Sequence, residues 1–362
     1  MNSTSSLPLI DQAASRQPLL SLSVAELEAW LMEHTWPRFH ARSIHRWLLE
    51  RRAQTFVAMT DLPKALRVQL EESFVPLGTV IATAQLAQDG TRKLLMRMWD
   101  GETIECVMIP ERDRRTACIS TQVGCGMACV FCASGLNGVL RNLQTGEILE
   151  QLLYLRNALP PQERLNHIVV MGMGEPLANL DHLLEALAVA TAPQGLGISA
   201  RHITISTVGL PIKIRRLADL QKQYHLAVSL HAPNDELRNR IVPTNAGLAE
   251  IMAAADYFHE RTGRQVTFEY VLLKDVNDRR DHAQELARLL QGRHAHINLI
   301  PFNEVEGLPY RRPTDDALVA FVSCLRQAGL SVKVRKRKGS EIDAACGQLR
   351  RRAQNASQTA HT

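Results

Sequence analysis

Three cysteines stand close together between Val123 and Ser134. Cys125, Cys129 and Cys132 have the spacing C-x3-C-x2-C. Three thiolates at this spacing can bind three corners of a cubane iron–sulfur cluster, which in most proteins has four cysteine ligands. The fourth iron would then be open to a small molecule. We therefore predict a 4Fe-4S cluster with one open coordination position.

Two other kinds of site use closely spaced cysteines. Structural zinc sites prefer four closed ligands, commonly arranged as two C-x2-C pairs, and no second pair follows here. Disulfides are not expected in a cytosolic chain, and the first residues, which include Asp11 and Arg16, lack the apolar core of a secretion signal. Both alternatives stay open, and the cluster is favoured.

Length and charge bound the class of protein. The 362 residues are enough for two or three domains, or for one barrel with an accessory unit. Lysine and arginine exceed the acidic residues by 42 to 37, a net charge of +5 that tilts the chain mildly towards a polyanionic partner. No apolar run is long enough to span a membrane. We expect a soluble, cytoplasmic protein without a membrane partner, and a monomer.

The N-terminal part predicts a small helical module. Residues 1–18 are polar and without apolar periodicity, so we expect a disordered tail. Ser23 and Glu26 form a capping-box pattern that begins a helix, and further helices are predicted at 40–53 and 63–74. We assign residues 19–76 to a helical accessory domain.

From Val80 the apolar residues recur at every second position, which predicts a β meander over residues 77–114. The pairs Asp89-Gly90 and Asp100-Gly101 are hairpin turn signals that separate strands at 80–88, 91–99 and 102–109. Ile104, Cys106 and Met108 would share one face of the last strand, which places Glu105 on the other. The pattern alone predicts that Glu105 is a surface carboxylate.

From residue 115 to residue 349, strands and helices alternate. The predicted strands lie at 116–122, 167–172, 202–207, 225–231, 266–273, 295–300 and 331–336, with helices between them, for example at 145–158. This order predicts an α/β fold, with either a parallel sheet or a β/α barrel, whose active site lies at the carboxyl ends of the strands. Residues 350–362 are polar and basic, and we expect a disordered tail there.

Four of these strands end in polar or glycine-containing motifs. The motifs are Gly172-Met173-Gly174-Glu175-Pro176, Ser206-Thr207-Val208-Gly209, Ser229-Leu230-His231-Ala232-Pro233-Asn234 and Ile300-Pro301-Phe302-Asn303. The first is not a dinucleotide fingerprint, because Leu177 occupies the third glycine position of G-x-G-x-x-G. Four such ends after successive strands of one sheet predict a shared ligand pocket.

The cysteine motif is the signature of the radical S-adenosylmethionine (SAM) enzymes. Together with the four strand-end motifs and Asp343-Ala344-Ala345-Cys346-Gly347-Gln348-Leu349, it resembles the RlmN/Cfr family of radical-SAM RNA methyltransferases over residues 20–350. The resemblance is greater to the RlmN branch. It implies a partial (β/α) TIM-like radical-SAM barrel, a 4Fe-4S cluster with three cysteine ligands, and SAM bound at the open iron.

The family resemblance also implies roles for individual residues. The SAM contacts would be Gly174, Glu175, Ser206, Ser229, Leu230, His231 and Asn303. Glu105 matches the carboxylate that accepts a proton in the family, against its surface interpretation. Cys346 matches the cysteine that carries the methyl group, and Cys118 the resolving cysteine that forms a transient disulfide with it. Without the resemblance, both would be interpreted as inert thiols.

The implied reaction is methylation of C2 of an adenine in 23S rRNA and of the adenine 3′ of the anticodon in some tRNAs. Its partners would be these RNAs and an electron donor such as flavodoxin or ferredoxin. Three basic clusters are predicted to contact RNA phosphates: Lys213-Arg215-Arg216, Arg335-Lys336-Arg337-Lys338 and Arg350-Arg351-Arg352. We favour the cluster Arg335–Lys338. Two alternatives stay open, C8 methylation of the same rRNA adenine and a non-enzymatic metal-containing RNA sensor.

Overall fold

The accessory elements near the N-terminus pack against the helix at Thr145–Asn157, where Arg156 donates to the carbonyl oxygens of Leu48 and Leu49. The computed structural model describes residues 16–243, 246–305, 307–335 and 348–350. The accessory elements are β1 (Gln17–Pro18), α1 (Val24–Glu33), α2 (His40–Leu49), α3 (Lys64–Ser73) and β2 (Phe74–Val75). The predicted capping box is confirmed, because the Ser23 side chain accepts a hydrogen bond from the Glu26 N–H and the Glu26 carboxylate accepts one from the Ser23 N–H.

A ten-stranded sheet runs through the rest of the described chain. Its strands are β3 (Val80–Leu86), β4 (Arg92–Arg97), β5 (Thr103–Glu111), β6 (Arg114–Cys118), β9 (His167–Val170), β10 (Ile203–Thr207), β11 (His225–Ser229), β12 (Val266–Leu272), β13 (Ala295–Pro301) and β14 (Ser331–Val334), while β7 (Gln122–Gly124) and β8 (Val139–Asn142) form a separate hairpin. Neighbouring strands follow the order β14-β13-β12-β11-β10-β9-β6-β5-β4-β3. The meander is antiparallel and the remainder from β6 onward is parallel. The meander therefore extends the core sheet directly.

Helices cover one face of the parallel strands. They are α4 (Thr145–Asn157), α5 (Leu180–Thr191), α6 (Pro211–Asp219), α7 (Asp235–Ile241), α8 (Leu248–Thr262), α9 (Arg280–Leu290) and α10 (Asp315–Gln327). Apolar strand residues on that face, such as Ile168, Ile205, Val228, Phe268 and Ile297, are buried beneath them. Burial of this continuous apolar layer is the main stabilising contribution.

The opposite face of the sheet is polar and lines the barrel interior. Paired residues in neighbouring strands point to the same side of a sheet, so the register identifies this face strand by strand. Its members include Lys93, Glu105, Cys118, Ser206, Ser229, Glu269 and Asn298. A layer of this kind does not fill the interior with apolar side chains, and it leaves polar groups available to a ligand.

Three consecutive residues near the C-terminus show that the sheet is curved. The Gln348 side-chain amide donates to the carbonyl oxygen of Glu304, after β13, and the Arg350 N–H donates to the Glu105 carboxylate on β5. These strands are far apart in the sheet order, whereas two residues of chain span at most about 7 Å. The sheet is therefore curled into the predicted partial barrel.

The predicted elements agree with the structure to within a few residues, with two corrections at the ends. Gln17 and Pro18 form a parallel strand with Phe74 and Val75, and Arg350 is buried, so these residues do not belong to disordered tails. Residues 1–15 and 351–362 lie outside the described residues. In the part of the chain that the structure describes, no helix is both long and apolar enough to cross a membrane.

Candidate active site

A β-hairpin encloses the cysteine loop. Strands β7 and β8 pair on either side of it, and the Cys125 N–H donates to the carbonyl oxygen of Gly138 at 2.9 Å. Gly124 has φ +82°, and a Cβ there would lie 2.1 Å from that same carbonyl oxygen, so only glycine permits this closure. On its far side the loop is attached to α7, because the Val130 N–H donates to the Ile241 carbonyl.

The three cysteines of the loop are half-buried. Within the described residues, no three His, Cys, Asp or Glu side chains converge on a point where one ion could sit. Burial raises the pKa of Cys125 to about 11, with smaller contributions from the nearby Cys132 and Glu175, and burial likewise raises the pKa of Cys129. Metal binding must therefore release protons from these two thiols.

The motif that ends β9 lies directly against the cysteine loop. The Gly174 N–H hydrogen-bonds Cys125, and this contact lowers the pKa of the Cys125 thiol against the larger effect of burial. Gly174 has φ +100°, and a Cβ on it would collide with Gln122 at 2.6 Å. Gln122 in turn accepts the Glu175 N–H at 2.8 Å. The tight backbone thus places Glu175 beside the predicted cluster.

Glu175 is buried, and two backbone groups hold its carboxylate. The Leu177 N–H donates to one oxygen at 3.0 Å and the Val208 N–H to the other at 2.8 Å. Burial raises the pKa of Glu175, although these hydrogen bonds oppose the shift. A carboxylate that is desolvated and bound by neutral donors is suited to an incoming cation such as the ammonium group of SAM.

Two predicted SAM contacts meet on the interior face. Ser206 is the residue before the last of β10, Ser229 ends β11, and their hydroxyl oxygens are 3.3 Å apart. Among the other predicted contacts, Leu230 has a fully buried side chain, so it can offer a ligand only its backbone, and Asn303 follows β13 at the same edge of the sheet. The structure shows no direct contact between Asn303 and the two serines.

His231 is held in one orientation beside the cysteine loop. Its ring packs edge-on against Phe131 with centroids 4.9 Å apart, and its backbone adopts φ +60°, which is unusual for a residue with a side chain. Burial, and then the charge of Arg238, lower its pKa to about 3, so the ring is neutral. Nδ1 accepts the Val271 N–H at 3.0 Å, which assigns the proton to Nε2.

Glu105 is not the surface carboxylate that its strand pattern predicts. Its side chain is 2% exposed and forms an ion pair with the buried Lys93 at 2.7 Å. The sequence pattern failed because residues on both faces of β5 are buried, Cys106 on one face and Val107 on the other. Cys118 lies on the same interior face of the neighbouring strand and is buried. Cys346, the predicted methyl carrier, lies outside the described residues.

Two buried charged residues were missed by the sequence analysis. Arg238 on α7 is fully buried, and its guanidinium donates to the carbonyl oxygen of Val208, the residue whose N–H binds Glu175. Nothing in its local sequence signals this burial. Glu269 faces the interior and accepts a hydrogen bond from Asn298 at 2.8 Å. Its place in an alternating strand was the available signal.

The side chains of the three basic clusters differ in the contacts that they make within the chain. On α6, Arg216 forms an ion pair with Asp181, and Arg215 lies 4.7 Å from the Tyr257 ring centroid. Arg350 pairs with Glu102. In the preferred cluster only Arg335 is described, and residues 336–338, like Arg351 and Arg352, lie outside the described part of the chain.

Comparisons with known proteins identify the family of the chain. A model of the radical SAM superfamily matches residues 119–290, and one of the ribosomal RNA large subunit methyltransferase N-terminal domain matches residues 17–75. A Rhodopirellula baltica protein named "Probable dual-specificity RNA methyltransferase RlmN" is 52% identical, covering 96% of this chain and 95% of its own. The Bacillus subtilis protein of the same name is 43% identical, covering 92% and 93%.

A solved structure agrees as well. The crystal structure of a radical SAM methyltransferase from Sphaerobacter thermophilus superposes with a TM-score of 0.88 at 42% identity, covering 92% of this chain and 98% of that one. These matches confirm the predicted radical-SAM fold and contradict the non-enzymatic sensor. The chain belongs to the RlmN family of radical SAM RNA methyltransferases, and it is a methyltransferase enzyme.

Proposed function

We propose that this enzyme methylates C2 of an adenine in the peptidyl-transferase region of 23S rRNA and of the adenine 3′ of the anticodon in some tRNAs. The names of its relatives, which specify dual-specificity RNA methyltransferases, support two kinds of RNA substrate. The observation that carries the proposal is that Glu105 and Cys118 lie on the interior face of the same sheet whose carboxyl end holds the cysteine loop.

The position of the target carbon explains why two further cysteines are needed. C2 of adenine lies between two ring nitrogens and is electron-poor, so it cannot attack a methyl sulfonium as a nucleophile. When bound, a 4Fe-4S cluster on Cys125, Cys129 and Cys132 and two SAM molecules supply a methyl group and a 5′-deoxyadenosyl radical. Gly174, Glu175, Ser206, Ser229, Leu230, His231 and Asn303 would hold SAM, with Glu175 accepting hydrogen bonds from its ammonium group.

The protein's own residues then carry and release the methyl group. Cys346 would bear it as an S-methyl thioether. Loss of one hydrogen atom from this methyl group to the 5′-deoxyadenosyl radical would leave a carbon radical, which would add to C2 and so bond the RNA to Cys346. Glu105 would accept the proton lost from C2, and one electron of the adduct would return to the oxidised cluster. The Cys118 thiolate would then attack the Cys346 sulfur, so that the carbon–sulfur bond breaks, a disulfide forms and the released carbon takes up a proton to become the methyl group of the product. An external thiol reductant restores both cysteines. A flavodoxin or ferredoxin would deliver electrons to the cluster.

Nucleoside analysis after reaction in vitro tests the proposal. The anaerobically reconstituted enzyme, with SAM and a reductant, is incubated with a 23S rRNA fragment or with tRNA. We expect 2-methyladenosine from both RNAs, identified by mass spectrometry against authentic standards. 8-Methyladenosine instead would favour the alternative, C8 methylation, and product from only one RNA would contradict dual specificity.

A pair of variants tests the two cysteine roles in the same assay. Cys346→Ala should form no product yet still release 5′-deoxyadenosine, because the cofactor residues are intact. Cys118→Ala should accumulate protein covalently joined to RNA, visible as a band of reduced mobility on a denaturing gel. Wild-type product formation by Cys346→Ala would eliminate the methyl-carrier role, and absence of the joined species in Cys118→Ala would eliminate the release step.

A further inference from the structure

Helix α7 carries a buried arginine beside the cysteine loop. Arg238 lies in the middle of this helix and is fully buried. Three residues later, the Ile241 carbonyl accepts the Val130 N–H of the loop at 3.1 Å. Residues three apart on a helix are neighbours on its surface, so the loop joins α7 within one turn of Arg238.

Apolar contacts hold the same part of the loop. Its members Cys129, Val130 and Phe131 pack on a small buried apolar core. That core includes Leu237 and Ile241, which belong to α7 and lie on either side of Arg238 in the chain. Cys129, one of the three predicted cluster ligands, therefore adjoins the helix that carries this arginine.

The guanidinium of Arg238 is held by backbone carbonyl oxygens. It donates to Val208, which follows β10, and to Ala246, which precedes α8, the second contact at 3.3 Å. The Val208 N–H in turn binds the Glu175 carboxylate. Because a guanidinium stays protonated in proteins, these contacts fix one positive charge among the residues that surround the cysteine loop.

From this position the charge of Arg238 acts on other groups of the site. Burial raises the pKa of the Cys129 thiol, and the neighbouring thiols and Glu175 raise it further, whereas the charge of Arg238 opposes the shift. Burial lowers the pKa of His231 to about 3, and the charge of Arg238 contributes to that decrease. Both effects have the sign of a positive charge close to the loop, which agrees with the packing of the loop on α7.

We propose that Arg238 raises the reduction potential of the cluster bound by the three loop cysteines, through its fixed positive charge and without being a ligand. The inference rests on the proposed function, which assigns these cysteines to the cluster. Reduction adds one electron to a group that its thiolate ligands already make anionic, and net charge is one of the determinants of the potential of iron–sulfur clusters. A buried positive charge therefore favours the reduced state, from which SAM is cleaved.

A redox titration measures this effect without SAM or RNA. The wild type and its variants are reconstituted anaerobically, matched in iron content, and titrated with dithionite in the presence of redox mediators. Dithionite is oxidised and each cluster takes up one electron, while no bond of the protein forms or breaks. The electron paramagnetic resonance signal of the reduced cluster, recorded at the midpoint potential of the wild type, gives the ratio of reduced to oxidised protein.

We expect Arg238→Met to lower this ratio on the order of tenfold, the effect of one unit charge about 12 Å away at an effective dielectric constant of about 20. For a one-electron couple, a tenfold change corresponds to about 59 mV. Arg238→Lys, which keeps a positive charge, should stay within about threefold of the wild type. Arg156→Met is the matched control and should be unchanged, because Arg156 is also buried and donates to backbone carbonyls, those of Leu48 and Leu49 in the accessory domain.

The direction of the shift separates charge from packing. Water that entered the space left by methionine would stabilise the more negative, reduced cluster and raise the ratio, since solvent exposure also sets the potential. An unchanged or raised ratio in Arg238→Met would therefore overturn the inference. A role of Arg238 in SAM binding alone would also leave the ratio unchanged, because no SAM is present.

Arg238→Lys keeps the inference testable if Arg238→Met binds no cluster. The lysine variant must then bind the cluster and stay within the same range of the wild-type ratio. Loss of the cluster from both variants would make Arg238 a structural residue and overturn the inference. Failure of the proposed function has a different sign, namely absence of methylated adenosine from wild-type reactions, and a wild type that binds no cluster would overturn both.

Discussion

Two buried carboxylates lie near the carboxyl end of the sheet, and their surroundings differ. Glu105, on the same interior face as Cys118, is paired with the buried ammonium group of Lys93. Glu175, near the cysteine loop, is bound by the backbone N–H groups of Leu177 and Val208. Burial raises the pKa of Glu175, and none of the causes of its shift is a positive charge.

The difference indicates what each carboxylate can bind. A buried carboxylate that is already neutralised by lysine is stable, provided both partners remain. A buried carboxylate with only neutral donors keeps its capacity to bind a cation, and SAM carries both an ammonium and a sulfonium group. Glu175 is thus suited to an incoming cation, whereas Glu105 is already paired within the protein's own chain.

The largest effect should follow loss of a predicted cluster ligand. Cys129→Ala leaves two thiolates in the loop, too few to retain the cluster, so iron content should fall to about a tenth or less and methylation should be abolished. Iron analysis and the visible spectrum of the reconstituted protein measure this. Cys324→Ala, on the outer helix α10, is the matched control and should stay fully loaded. A brown, iron-replete Cys129→Ala would contradict the ligand assignment.

Removal of the Lys93 ammonium group, which neutralises Glu105, should have the next largest effect. Lys93→Met takes away the ammonium that neutralises Glu105 and should lower the free energy of unfolding by about 3–5 kcal/mol. Urea unfolding of the cluster-free proteins measures this change. Lys93→Met/Glu105→Gln should regain at least half of the loss, because no buried charge then remains. If the double variant is as unstable as the single one, charge is not the cause.

Glu150 offers a third buried carboxylate, held by the Gly78 and Thr79 N–H groups at the junction with the accessory helices. Burial raises its pKa to about 7. The folded state therefore binds a proton more tightly than the unfolded state, and stability should fall as pH rises from about 4.5 to 7. In Glu150→Gln this dependence should flatten by about 3 kcal/mol between pH 5 and pH 8.

Urea unfolding midpoints at the two pH values measure this difference, with the exposed Glu71→Gln as the control. Because Glu150 has neutral donors like Glu175 but no predicted ligand, it separates the effect of burial from the effect of SAM. An unchanged pH dependence in Glu150→Gln would show that burial alone does not perturb carboxylates in this protein.

The smallest predicted effect concerns SAM affinity. Glu175→Gln keeps the shape and one acceptor oxygen but removes the negative charge, so SAM should bind about tenfold more weakly. Anaerobic equilibrium dialysis against labelled SAM, with cluster content matched, gives the dissociation constant. Glu250→Gln, exposed on α8, should bind as the wild type does. Equal affinities of Glu175→Gln and the wild type for SAM would contradict the proposed difference between Glu175, which is free to bind a cation, and Glu105, which is paired with Lys93.

Much of the fold could be predicted because its signals are local. The strand patterns predicted the bounds of β9 to β14 to within two residues, and the pair Ser23 and Glu26 predicted the start of α1. The interpretation of Glu105 was wrong because a single strand shows which residues share a face but not whether both faces are covered. The predicted N-terminal tail extended too far, because the pairing of Gln17 with Phe74 depends on a distant segment. The predicted C-terminal tail began too early, because the contact of Arg350 with Glu105 also depends on a distant segment.

The amino-acid sequence by itself determined the spacing of the three cysteines, the order of strands and helices, and the motifs at the strand ends, since each depends on neighbours within a few residues. Only the tertiary structure decided which charges are buried and what neutralises them. Lys93 reaches Glu105 across a hairpin, Arg238 reaches Val208 from 30 residues away, and Arg350 reaches Glu105 from 245. Such pairings arise when the sheet curls, because desolvated charges must find partners that packing brings near.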